Sequence, residues 1–174
     1  MQILSLSGSP SSPSGLQAAE EIFFESSSKK TFQDEAERVL FRYRYFGVYA
    51  EHDPDWFLLA QDETGRVLGY LAGSPATNDE HVRLNPYLEA FRPVLERFPA
   101  HLHINFSPAA RGLGLGSRLL SEFERRLRES SVPGVHLVTG AAERNVGFYM
   151  RHGYLEASRI RIGSAELVLL GKSL

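Results

Sequence analysis

The sequence predicts an α/β fold built on a mixed α+β sheet, and three observations lead there. Two strand patterns, residues 56–61 and 66–73, flank Asp62-Glu63-Thr64-Gly65, which is hairpin chemistry and foreign to a doubly wound parallel sheet. From residue 101 strand and helix patterns alternate, and the chain closes on two successive strands, 154–162 and 165–170. A length of 174 residues with 43% hydrophobic content suffices for one core of ordinary size.

Taken in order, the first twenty residues hold six Ser, two Gly and two Pro, a composition that favours turns. Residues 1–20 are therefore expected to form a Ser-rich N-terminal segment or an extra strand. Ile3, Leu4 and Leu6 followed by Ser7-Gly8-Ser9-Pro10 resemble the strand and phosphate loop that open flavodoxin-like reductases, but the repeated βαβ units of that fold do not follow. Residues 21–25, Glu-Ile-Phe-Phe-Glu, read as a short strand. Residues 34–46 read as a helix with Ala36, Val39, Leu40 and Tyr43 at helical spacing, ended by the turn at 52–55. A helical insertion is expected at 78–98, where Asn85 caps, Pro86 suits a first turn, and Leu88, Phe91, Leu95 and Phe98 share a face. Pro93 kinks or splits it. Then come a strand at 101–106, a helix at about 114–128, a strand at 135–139 and a helix at about 143–151. The domain expectation is one domain over 21–174.

Composition narrows the function classes. The chain has 19 Lys+Arg against 21 Asp+Glu, a formal net charge of −2, and no cysteine. A binder of nucleic acid through a strongly basic field is not expected. Disulfides, Cys-ligated metals and a cysteine nucleophile are excluded. No apolar run approaches a membrane span and the start lacks a basic region followed by an apolar one, so a cytoplasmic protein that does not engage membranes is expected.

The segment that carries chemistry is Ser107-Pro108-Ala109-Ala110-Arg111-Gly112-Leu113-Gly114-Leu115-Gly116-Ser117-Arg118. It joins an alternating strand to a helix whose Leu119, Leu120, Phe123 and Leu127 face a core. Glycines at alternate positions let successive N–H groups turn toward one concave spot at a helix N-terminus, which suits phosphate, with Arg111 and Arg118 alongside. The dinucleotide pattern fails because Ser117 stands at its third glycine position, and no Gly-Lys-Ser/Thr makes it a P-loop. The competing reading is a helix-entry loop whose glycines only permit close packing.

Arg-x-x-Gly-x-Gly at Arg111, Gly114 and Gly116 resembles the acetyl-CoA pyrophosphate loop of the GNAT (Gcn5-related N-acetyltransferase) superfamily. Arg144 to Tyr154, with Phe148-Tyr149 and Gly153-Tyr154, resembles that superfamily's tyrosine-bearing helix. Phe98 to Asn105, Val132 to Leu137 and the Tyr49 to Gly73 region are similar to the acetyltransferase-like C-terminal domain of O-GlcNAcase and its stand-alone bacterial relatives. The resemblance spans roughly residues 20 to 172.

It implies a central mixed sheet, splayed between strands 4 and 5 and flanked by helices. It implies acetyl-CoA (coenzyme A) held by Ile104, Asn105 and Phe106 on the splayed strand, by Arg111, Gly112, Leu113, Gly114, Leu115, Gly116, Ser117 and Arg118 in the loop, and by Asn145 and Phe148. Tyr149 would protonate the leaving thiolate. The superfamily often has an asparagine seven residues before that tyrosine; here that position is Ala142, and Asn145 lies one helical turn further along. The reaction implied is acetyl transfer to an amine acceptor, a small molecule or a protein lysine or N-terminus. Without cysteine it proceeds by direct attack in a ternary complex. The alternative is a catalytically inactive acetyl-CoA-binding or protein-interaction domain.

A general base is less distinctly marked. His101, His103 and Asn105 alternate on one strand face, and His103 is the candidate; a structural histidine is the competing reading. No metal is expected, because His101-x-His103 has no evident third ligand. His52, His81, His136 and His152 read as loop or helix-surface residues. Tyr45, Tyr49 and Trp56 line an acceptor pocket or pack the core, and Arg159 and Arg161 share a strand face toward an acidic group or solvent. A monomer or homodimer is expected.

Overall fold

A computed structural model of the chain describes residues 1–9 and 12–174. Pro10 and Ser11, and with them the end of the loop compared with flavodoxin-like reductases, lie outside the described residues. In chain order the elements are β1 (Gln2–Ser5), α1 (Ser12–Ser26), α2 (Glu35–Arg42), a π turn (Tyr43–Gly47), α3 (Val48–His52), β2 (Leu58–Gln61) and β3 (Val67–Ser74). They continue with α4 (Asp79–Leu84), a 3₁₀ turn (Pro86–Phe91), α5 (Arg92–Leu95), β4 (Ala100–Phe106), a 3₁₀ turn (Pro108–Ala110) and α6 (Leu115–Glu129). The chain ends with β5 (Gly134–Gly140), α7 (Asn145–Arg151), β6 (Leu155–Ile162) and β7 (Ala165–Ser173). The seven strands form one mixed sheet in the order β1-β2-β3-β4-β5-β7-β6, flanked by helices. This is the mixed α/β class the sequence predicts.

Residues 21–25 are not a strand. They lie in α1, where Ala19, Ile22 and Phe23 are buried at helical spacing. A five-residue window rich in Ile and Phe favours a strand intrinsically, and burial of one helical face overrides that preference. The helix expected at 34–46 runs on through the π turn to His52. Asp34 caps its start, accepting the Glu37 N–H at 2.8 Å. The insertion at 78–98 is split in three, with Pro86 and Pro93 each in the first turn of a new piece. Asn78 forms the capping box here. Asn85 makes no side-chain cap; its amide donates to the His81 carbonyl at 3.3 Å and ends α4.

The chain forms two compact units. One comprises Met1–Ser74 with His103–Phe123, the other Pro75–Leu102 with Glu124–Leu174. In the first, β1, β2 and β3 pair antiparallel, with Leu59 opposite Leu4 on one side and Tyr70 on the other. Its core is aromatic: Phe46 packs edge-on against Phe57 and Tyr70, with ring centres 5.2 and 5.4 Å away, while Phe57 and Tyr70 stack. A Cβ on Gly69 would fall 2.2 Å from the Phe106 ring, so only glycine lets that ring lie across β3.

In the second unit, β4 and β5 pair in parallel at two rungs near the start of both strands, Ala100↔Val135 and His101↔His136. The other side of β5 pairs antiparallel with β7 from Gly134↔Ser173 to Gly140↔Leu167, and β6 completes the hairpin. Leu88, Phe91, Leu95 and Phe98 do share a buried face, closing on Leu169.

Candidate functional site

Ser107 leaves β4 by donating its N–H to the Leu68 carbonyl at 3.0 Å, which ties the following loop to β3. A single 3₁₀ turn brings the chain to Arg111, after which Gly112 (φ +78°) and Gly114 (φ +73°) take left-handed backbone that favours glycine. An added Cβ at either would meet no protein atom within 4 Å, so both face open space. Leu115, buried, seats the start of α6, and the Arg118 N–H bonds back to the Gly114 carbonyl at 3.3 Å. The N–H groups ahead of Arg118 therefore form a helix N-terminus with its partial positive charge. Gly116 sits inside the first turn without left-handed backbone. Arg111 and Arg118 are exposed, and the Arg118 guanidinium reaches the Met1 sulfur at 3.7 Å.

On the preceding stretch of β4, His103, Ile104, Asn105 and Phe106 are all half-buried. The His103 ring is flanked by the edges of Tyr45 and Tyr49, with ring centres 5.7 and 5.5 Å away. The Asn105 amide donates to the Tyr70 hydroxyl at 2.9 Å, and burial pushes that phenol far above its usual range. The Phe106 carbonyl accepts the Ser26 hydroxyl at 3.2 Å. Thus the structure brings His103 together with Tyr45 and Tyr49. Tyr49 is fully buried, Tyr45 half-buried, and Trp56 packs edge-on against Phe123.

Asn145, Phe148 and Tyr149 stand on α7, in the second compact unit. Tyr149 is 3% exposed, its ring 5.1 Å from that of Phe148 and 5.5 Å from that of Tyr154. Burial alone pushes its phenol above its usual range. Asn145 accepts the Thr139 hydroxyl at 3.0 Å, which leaves its amide hydrogens for another partner, and Ala142 is exposed in the turn before it. Glu124, a buried carboxylate of the same unit, takes Lys172 at 2.7 Å and Arg128 at 3.2 Å.

Two histidine expectations fail. His81 and His136 are not surface residues but 1% and 2% exposed, and they flank His101 at ring-centre distances of 4.4 and 5.6 Å. His136 Nδ1–H donates to the Phe98 carbonyl at 2.6 Å, and burial lowers its pKa from the ordinary 6.5 to about 4. A histidine is amphipathic enough to fill a core once a carbonyl satisfies its N–H, and only the register of β5 shows that one does. Among the described residues no cluster of His, Asp or Glu is arranged to hold a metal ion. Arg159 is compensated by Glu156 and Glu166, and Arg161 reaches Glu166 at 3.7 Å.

Arg44 had no signal in the sequence. It sits half-buried on the π turn, its guanidinium carbon 5.8 Å from the Tyr45 ring centre, with Nε sequestered from solvent and bonded to nothing. Only the extra residue of a π turn, which periodicity does not disclose, sets it there.

The sequence matches the acetyltransferase (GNAT) family over residues 16–154, and the chain belongs to that family. Solved structures agree on the fold. The protein called SsHAT superposes with a TM-score of 0.72 at 24% identity, covering 92% of this chain and 94% of its own. The ribosomal-protein-alanine N-acetyltransferase of Brucella melitensis gives 0.65 at 21% identity over 100% of both chains. A phosphinothricin acetyltransferase from Sinorhizobium meliloti, in complex with AcCoA, gives 0.65 at 21%, covering 99% of this chain and 88% of its own.

Proposed function

We propose that this chain binds acetyl-CoA and transfers the acetyl group directly to an amine. The observation that carries the reading is the pair Gly112 and Gly114, left-handed and facing open space immediately before α6. That cradle fits a diphosphate: any side chain there would occupy the space the anion needs, and a helix N-terminus with Arg111 and Arg118 supplies the charge. Acetyl-CoA, when bound, supplies an activated thioester. Gly112 through Arg118 hold its diphosphate, and Ile104, Asn105, Phe106, Asn145 and Phe148 its pantetheine arm.

His103 takes the proton that an ammonium must lose before it attacks, and the Tyr45 and Tyr49 edges fix its ring. A backbone N–H near Asn105 stabilises charge developing on the carbonyl oxygen. Tyr149 donates its phenolic proton to the leaving sulfur. The exposed Ala142, where the superfamily often has asparagine, favours the second reading, an acetyl-CoA-binding module without turnover.

We also propose the closer kinship with the O-GlcNAcase-type acetyltransferase domain, a cytoplasmic location, and one family domain over 21–174 with 78–98 as its insertion. Among the described residues no helix is long and apolar enough to cross a membrane. Calorimetry with acetyl-CoA tests the binding, and thiol release with an amine panel tests the transfer. Binding with turnover supports the enzyme, binding without turnover the module, and no binding overturns both.

A further inference from the structure

On the reading above, which assigns an amine acceptor without naming it, we infer that Arg44 selects acceptors carrying an anionic group, a carboxylate or the equivalent oxyacid, beside the reacting amine. The case begins with its surroundings. The other arginines of this helical region are paired with carboxylates, Arg38 with Glu35 at 3.0 Å and Arg42 with Glu20 at 2.7 Å. The Arg44 Nε is out of reach of water and has no hydrogen-bond partner among the described residues. A guanidinium keeps its charge, so partial burial without a partner costs stability that nothing within the chain returns. Such a group on a π turn, where helices commonly build functional sites, is explained by a partner that arrives from outside.

Its position says which partner. Arg44 lies against Tyr45, and Tyr45 against His103, the base proposed for the amine. Phe41, 5.1 Å from Tyr45, extends the same aromatic wall. A guanidinium fork binds a carboxylate through two parallel N–H···O bonds, strengthened where aromatic walls keep water out. An amino acid or a peptide N-terminal residue with an acidic group presents this combination, and a bare alkylamine does not.

The test measures binding directly by calorimetry, using the L-amino acids, their decarboxylated amines and the matching α-aminophosphonates, against wild type and Arg44→Gln. At least one carboxylate or phosphonate member should bind wild type, and bind Arg44→Gln roughly 10- to 100-fold more weakly. Its decarboxylated partner should bind both proteins equally. The arms separate the two oxyacids, since a phosphonate-only response assigns the anion as a phosphorus oxyacid. Arg44→Lys, which keeps charge but loses the fork, should fall between and serves if the glutamine variant does not fold. Binding of no anionic member, or unchanged affinity in both variants, overturns the inference. Because no step requires acetyl-CoA, failure of acetyl-CoA to bind removes the proposed function while leaving this result standing.

Discussion

Gly114→Val separates the two things a glycine in the candidate loop can do. At φ +73° a β-branched residue costs about 1–2 kcal/mol of folding free energy, and the added carbons meet no protein atom within 4 Å, so no clash enlarges that cost. For a chain of this length the penalty lowers Tm by roughly 2–8 °C, which leaves the protein folded at 25 °C. Gly65, at φ +85° in the β2–β3 turn and equally open, is a matched control: Gly65→Val carries the same backbone strain. The two variants should therefore melt alike yet differ in acetyl-CoA affinity. Calorimetry should show Gly65→Val binding as wild type does and Gly114→Val weakened by at least roughly 100-fold, the equivalent of two lost charge-assisted hydrogen bonds. Wild-type affinity in folded Gly114→Val refutes the loop as the diphosphate site and with it the argument from left-handed backbone.

The other expectations rest on separate parts of the structure. Tyr149→Phe should lower turnover by roughly 10²- to 10⁴-fold in a thiol-release assay while acetyl-CoA affinity barely changes; unaltered turnover removes the phenol from the chemistry. Acid should weaken the fold through His136. Its folded pKa of about 4 lies below the ordinary 6.5, so its stability contribution is complete above pH 6.5 and is lost as pH falls toward 4. Between pH 7 and 4.5 the loss amounts to about 2 kcal/mol, read as urea midpoints at the two values, and His136→Asn should flatten the difference. Gly69→Ala should destabilise by about 1–3 kcal/mol, since its Cβ would displace the Phe106 ring, and thermal melts of the two proteins decide it.

Much of the fold was legible in the chain because its signals are local. The hairpin at Asp62-Glu63-Thr64-Gly65 appears where the turn residues stand, Asp62 accepting the Thr64 N–H at 2.9 Å. The Pro86 and Pro93 breaks fall where a missing N–H requires them. The loop before α6 was legible for the same reason: a left-handed position without a side chain is written as glycine. What failed was long-range. Residues 21–25 became helical because one face of α1 is buried, and His81 and His136 became core residues because a carbonyl or a neighbouring ring waits for each.

By itself, then, the sequence determined the class of fold, the glycine loop before α6 and the exclusion of cysteine chemistry. These depend on residue type, spacing and composition. Only the tertiary structure decided that His103 is clasped by two tyrosines, that burial raises the Tyr149 phenol, and that the Nε of a half-buried Arg44 is sequestered without a partner. Burial and pairing are properties of what the rest of the chain brings alongside a residue, and no local pattern encodes them.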